Sequence, residues 1–279
     1  MNHAFIMTVH AYPEQFKEIV ELLQAPNHYF FVNVDKKSNI EPFLIPHVHY
    51  LQNNVNWGGY SQISATIALL REIERLGIKI DYIHFISGQD YPLFSNDIFD
   101  KFFEFHSPTS FMYFCKNQEW MKRNLPSRYR CYHLNDYLNQ RSNNYFIRNF
   151  SKLFSKVQVF PCRNNIPNIA YGHNWFSWHK HVSDFVLNYL DSHSEYEQRF
   201  HYTNCCDELF FHTILYQHVE KLHIETNTSL RYIDWSRPKM LLTEQDYKKI
   251  MASGDLFCRK IDPTVSKGLK EMIRTHIRG

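Results

Sequence analysis

Two apolar runs flanking an amphipathic segment near the start of the chain constrain its fold more than any other feature. Phe5 to Val9 reads as a buried strand, Pro13 to Leu23 as a helix with proline in its first turn, and Tyr29 to Val34 as a second strand. A strand, a helix and a strand in so short a span make a βαβ unit, whose strands run parallel in one sheet. The grammar continues: Val48 to Leu51 is a short strand, Ser61 caps a helix running to about Leu76 with Ile63, Ile67, Leu70 and Ile73 on one face, and Tyr82 to Ile86 is a further strand. This opening part predicts a parallel nucleotide-binding sheet with helices against it.

The rest is less regular. A helix is expected over Asn96 to Phe105, a strand over Ser110 to Cys115, and a polar, basic surface loop or lid through Lys122 to His133. Helices follow at His179 to Leu190, Asp207 to Gln217 and Glu244 to Ala252, with short strands near Arg231 and Phe257. No linker, repeat or low-complexity tract interrupts the pattern. A formal charge of +3 without a long Lys/Arg block argues against nucleic acid as a partner. Aromatic residues make up 16% of the chain, enough for a thick core with rings left over for a base or a sugar. The opening residues carry neither a leader nor an apolar span and read as entry into the first strand. Six cysteines, at 115, 131, 162, 205, 206 and 258, form no CxxC pair, which fits a reducing, cytoplasmic setting.

Several segments carry chemistry. Asp35 in "VNVDKKS", and Gln89 and Asp90 in "HFISGQDYPL", set polar side chains at the carboxyl ends of strands, where open α/β sheets bind ligands. The plainer alternative is chain leaving the core, with Asp90 bonding its own backbone in a tight turn. "NWGGYSQ", Asn56 to Gln62, either offers a helix N-terminus to an anion or is only a turn and a cap. In "TNCCDELFFHTIL" Asn204 and Asp207 have N-cap and N3 spacing, which puts Glu208 in a helix first turn, where an acid complements the dipole. Arg231, Arg237, Lys239, Arg259 and Lys260 read first as surface charge. Strand alternation sends Arg259 and Lys260 to opposite faces, so at most one should enter a given site. With eight glycines and neither a GxGxxG nor a Walker A pattern, a Gly-rich dinucleotide or ATP site is not expected.

Taken in order, "VHAYPEQF", "FVNVDKKS", "NWGGYSQ", "ISGQDYPL", "GHNWFSW", "CCDELFFHTIL", "LRYIDW", "RPK" and "DLFCRKI" cover almost the whole chain. The series resembles the core-2/I-branching β-1,6-N-acetylglucosaminyltransferases and the related protein xylosyltransferases. The resemblance implies an α/β, GT-A-like glycosyltransferase fold with a Rossmann-like, mostly parallel central sheet flanked by helices. One domain would span 1–279, with 1–115 as the nucleotide-sugar-binding half and 116–279 as the acceptor-binding and catalytic half. It further implies inversion at the anomeric centre of a UDP-sugar, with no metal or other cofactor. No Asp-x-Asp occurs, and Glu244-x-Asp246 reads as first-turn acids after the cap Thr243.

By the family pattern Glu208 is the catalytic base, taking the proton of an acceptor hydroxyl as that oxygen attacks C1 and UDP departs from the opposite face. Lys239 and Lys260 would hold the diphosphate; lysine at 239, where many relatives carry arginine, keeps the charge and gives up bidentate clamping. Val9, His10, Asp35 and Trp57 would line the uridine pocket, and Gln89, Asp90, Trp175, Arg128, Arg130 and Asp207 would surround the donor sugar or the acceptor. The expected partners are a UDP-sugar, GlcNAc or xylose first, and a glycan or lipid-linked glycan, as in bacterial surface polysaccharide synthesis. The basic tail "SKGLKEMIRTHIRG" is a candidate for weak peripheral contact with a membrane, although a solvated helix explains it as well. A non-catalytic nucleotide-sugar or glycan-binding module of the same fold is the alternative. A retaining glycosidase would need two carboxylates about 5 Å apart, for which no pair is evident. Metal sites at His47 with His49, or at Cys205 with Cys206, lack completing ligands at convincing spacing.

Overall fold

The computed structural model describes residues 1–138 and 163–278, with Tyr145, Phe146, Asn149, Leu153 and Phe154 between them. Of the cysteines singled out above, Cys162 lies outside the described residues, and the other five are free thiols. The chain opens as β1 (His3–Val9), α1 (Pro13–Leu23), β2 (His28–Asp35), β3 (Val48–Asn53), α2 (Ser61–Leu76), β4 (Tyr82–Ser87), β5 (Tyr91–Pro92) and α3 (Asn96–His106). It continues as β6 (Ser110–Phe114), α4 (Gln118–Asn124), α5 (Pro126–Arg130), β7 (Gly172–His179), α6 (Lys180–Ser192), α7 (Ser194–Phe200) and α8 (Phe210–Leu215). It closes with β8 (Ile224–Glu225), β9 (Arg231–Ile233), α9 (Tyr247–Ala252), β10 (Phe257–Arg259) and α10 (Lys267–Arg278).

The main sheet has seven strands in the order β3-β2-β1-β4-β7-β6-β8, and a small second sheet runs β5-β10-β9. The main sheet is mixed: β3, β2, β1 and β4 pair in parallel, whereas β7 is antiparallel to both β4 and β6. Alternation along the strands supplies two cores. Ala4 and Ile6 of β1 face the side covered by α2 and α6, while Phe5, Met7 and Val9 face the side covered by α1, α3 and α10. Burial on both faces explains the continuous apolar runs Ala4 to Met7 of β1 and Tyr29 to Val32 of β2. On α2 the expected face is present, with Ile63, Leu70 and Ile73 buried and Ile67 half-buried.

Four expectations need correction. The basic stretch from Lys122 to His133 is no lid: it includes the end of α4 and all of α5, and Met121, Leu125 and Tyr129, four residues apart, are buried. Ser61 does not cap α2; Asp136 does, accepting the Tyr60 N–H at 2.8 Å and the Ser61 N–H at 3.2 Å. The helix expected from Asp207 is broken into a 3₁₀ turn, Cys206–Glu208, and α8, with Cys205 in the left-handed region at φ 48°. Arg231 is buried, its guanidinium bonding the carbonyls of Phe85 at 2.9 Å and Phe176 at 3.1 Å. The basic tail forms α10, which buries Leu269 and Ile273 and sets Lys270 and Arg274 against Glu18 at 2.7 and 3.1 Å. Among the described residues no helix is long and apolar enough to cross a membrane.

Candidate active site

From β1 the chain crosses to β2 on one side and later to β4 on the other, which makes the carboxyl ends of these strands a topological switch point. A cleft of about 570 Å³ opens there, a size that suits a small ligand. Because β7 runs antiparallel to β4, with Phe176 opposite Phe85, its entry residues Asn174 and Trp175 arrive at the same edge.

Val9, His10, Asp35, Trp57, Gln89, Trp175, Asp207, Glu208 and Lys260 all line this cleft. Asp35 is buried, and its Oδ1 accepts the Lys37 N–H at 3.1 Å and faces the Lys37 ammonium at 3.1 Å. Asp207 and Glu208 sit on the 3₁₀ turn, which is pinned to the Gly58–Gly59 turn by a bond from the Cys205 N–H to the Gly58 carbonyl at 2.9 Å. Asn204, expected as a cap, instead accepts from the Asn135 amide at 2.8 Å. Burial first, and the charge of neighbouring Glu208 second, push the Asp207 carboxyl up to about 7, against a 2.9 Å hydrogen bond from Asn174. Arg128 stands behind Glu208 and donates to its Oε2 at 2.6 Å.

Asp90, Lys239 and Arg130 are not among the residues that line the cleft. Asp90 is fully buried behind the cleft, where it accepts from the Ser87 N–H at 2.6 Å and pairs with Arg259 at 3.1 Å, so its tight-turn role is the one observed. Lys239 is exposed on a turn, and its neighbour Met240 lines the cleft instead. Arg259 and Lys260 both line the cleft, against the alternation argument, because β10 ends at Arg259 and the pleat does not extend to Lys260. The Arg259 guanidinium lies 3.9 Å from the centre of the Trp175 ring.

The anion site proposed for the "NWGGYSQ" turn is filled from within the chain. Asp136 takes the α2 N-terminus, and a Cβ on Gly59 would stand 2.1 Å from its Oδ1, which is why glycine is needed there. Lys37, Asn174, Arg259 and Trp235 line the cleft without having been singled out for it. Lys37 was legible beside Asp35. The others required the pairing of β7 with β4 and the return of the chain through β9 and β10.

A family model described as "Core-2/I-Branching enzyme" matches residues 3–256. Xylosyltransferase 1 of Homo sapiens is 25% identical over 256 residues, covering 84% of this chain and 24% of that protein. Xylosyltransferase 2 of Pan troglodytes is 23% identical over 318 residues, covering 99% of this chain and 34% of that protein. Xylosyltransferase 1 of Mus musculus is 26% identical over 261 residues, with 84% and 24% covered. The chain thus spans a quarter to a third of the length of these relatives. With the family model matched from β1 to the approach to β10, this chain belongs to the core-2/I-branching enzyme family and is related at that level to the xylosyltransferases.

Proposed function

We propose that this chain is an inverting glycosyltransferase that moves GlcNAc or xylose from a UDP-sugar to a hydroxyl of a glycan acceptor, with Glu208 as general base and no catalytic metal. The observation that carries the proposal is the Asp207–Glu208 pair lining a cleft whose other walls are strand ends and the cations Lys260 and Arg259. Inversion by a single displacement needs one base on the acceptor side and charge neutralisation on the diphosphate side. Arg128 engages Oε2 of Glu208, and Oε1 is the oxygen assigned to take the acceptor proton. Asp207, partly protonated near neutrality, adds less than a full negative charge beside that base. Asp35, whose Oδ1 is taken by the turn, offers Oδ2 to the uridine. Trp57, Trp235 and Tyr12, exposed at the mouth of the cleft, offer rings on which sugars stack. The proposed acceptor is a glycan of bacterial surface polysaccharide synthesis, free or lipid-linked.

The test is UDP release from a panel of UDP-sugars in EDTA, with wild type and Glu208→Gln. One donor should turn over, EDTA should leave kcat unchanged, and Glu208→Gln should lower kcat by roughly 10²–10⁴-fold while UDP still binds. A requirement for added divalent metal, or wild-type kcat in Glu208→Gln, would overturn the proposal. UDP binding without turnover of any donor would favour the binding-module alternative.

A further inference from the structure

A second constellation lies at the opposite end of the sheet. His3 and His28 are register partners at the starts of β1 and β2, both fully buried beneath Phe99 of α3. Asp100, the next residue of α3, completes the group. Among the described residues these three side chains bring one potential ligand atom each to within 4.8 Å of one another. His3 is separated from Val9 by the length of β1, about 20 Å at roughly 3.3 Å per residue, so the group is remote from the cleft.

The surrounding hydrogen bonds aim ligand atoms at one point. His28 Nδ1 lies 2.6 Å from the Leu23 carbonyl, which can only accept, so Nδ1 carries the proton, and Nε2 is a lone pair in the neutral ring or an N–H in the imidazolium. That Nε2 stands 2.8 Å from Oδ1 of Asp100, a second acceptor. Such an approach requires a proton or a cation between the two atoms. His3 Nδ1 is engaged with His84 Nε2 at 3.0 Å, while the buried His3 Nε2 has no hydrogen-bond partner among the described residues and stands 3.6 Å from the same Asp100 oxygen. A proton between His28 and Asp100 would still leave His3 Nε2 orphaned, whereas a cation satisfies all three atoms.

Each ligand is also oriented by another partner: His28 by Leu23, His3 by His84, and Asp100 by the Asn27 amide, 2.7 Å from its Oδ2. A tetrahedral zinc ion with bonds of about 2.0–2.1 Å holds its ligand atoms about 3.3 Å apart. The contacts of 2.8 and 3.6 Å bracket that spacing. Asp100 is 23% exposed, which lets water supply a fourth ligand. We propose that His3, His28 and Asp100 bind one divalent transition-metal ion, zinc by ligand type, which pins the starts of β1 and β2 to α3 and takes no part in catalysis.

The test uses the full chain, purified, stripped with chelator and reloaded with zinc. Reloading should give one zinc per chain and raise Tm by about 5 °C at a hundredfold excess over Kd. Cobalt in its place should give a tetrahedral spectrum without thiolate charge transfer. Asp100→Asn, at a partly exposed position, should fold, hold less than a tenth of the zinc and lose the Tm response; His28→Gln should do the same. Zinc binding that survives Asp100→Asn, a thiolate band, or neither uptake nor a Tm shift would refute the site. Stripping should lower Tm and leave the initial rate in EDTA at 25 °C unchanged, so this proposal and the transferase proposal fail in different readouts.

Discussion

Replacing Asp90 by asparagine tests whether the strand-end carboxylate is a keystone of the cleft rather than a ligand-binding group. Asp90 is fully buried, and both of its oxygens lie within 3.2 Å of Arg259, whose side chain is 9% exposed. The variant keeps the shape and removes the charge, leaving a guanidinium buried without its counter-ion, which costs about 3–5 kcal/mol. At about 2.1 cal/mol/K per residue, 279 residues unfold with an entropy near 0.6 kcal/mol/K, so Tm should fall by about 5–9 °C. Urea unfolding followed by circular dichroism at pH 7 measures the loss directly. Arg259→Met in the same chain should recover most of it, since a buried pair replaced as a unit is close to neutral. UDP affinity should fall in both variants, because Arg259 stacks on Trp175 and lines the cleft. A Tm within 2 °C of wild type for Asp90→Asn, or strictly additive losses in the double variant, would refute the reasoning.

Three further substitutions probe the framework and the reacting pair. Asp136→Ala removes the cap on α2 and should cost about 1–2 kcal/mol, read as faster amide exchange in the first turn of that helix. Gly59→Ala forces a Cβ to within 2.1 Å of the same carboxylate, so the double variant should lose clearly less than the sum of the two. Asp207 titrates near 7 in the folded chain against an ordinary 3.8, so the native state holds the extra proton between those values. Its contribution to stability is present below about pH 4 and is lost as pH rises through about 7. Asp207→Asn should therefore flatten that part of the Tm–pH curve, and an unchanged slope would count against the raised value.

Much of the first hundred residues was legible without coordinates. Apolar runs buried on both faces, the proline at the start of α1 and the apolar face of α2 are local properties, and they identify β1, α1, β2, β3, α2 and β4. Later elements were harder. β7 carries His173, Asn174 and Ser177, polar side chains that a central strand tolerates only because its partners use them: Ser177 accepts from Arg231 at 3.2 Å. The short α4 and α5 hide in a charged stretch, although Met121, Leu125 and Tyr129 are spaced for one helical face.

Local pattern by itself determined the parallel start of the sheet, the strand ends where polar residues gather, and the ordered motifs that carry the family resemblance. Tertiary structure decided which charges are buried and what each one meets. Asp90 and Arg259 are far apart in the chain and pair only when β10 returns beside β5; Asp136 reaches the α2 N-terminus from a separate loop; and His3, His28 and Asp100 converge only through strand register and the docking of α3. Periodicity reports which face of an element is apolar, and it carries no record of the distant polar group that will stand opposite.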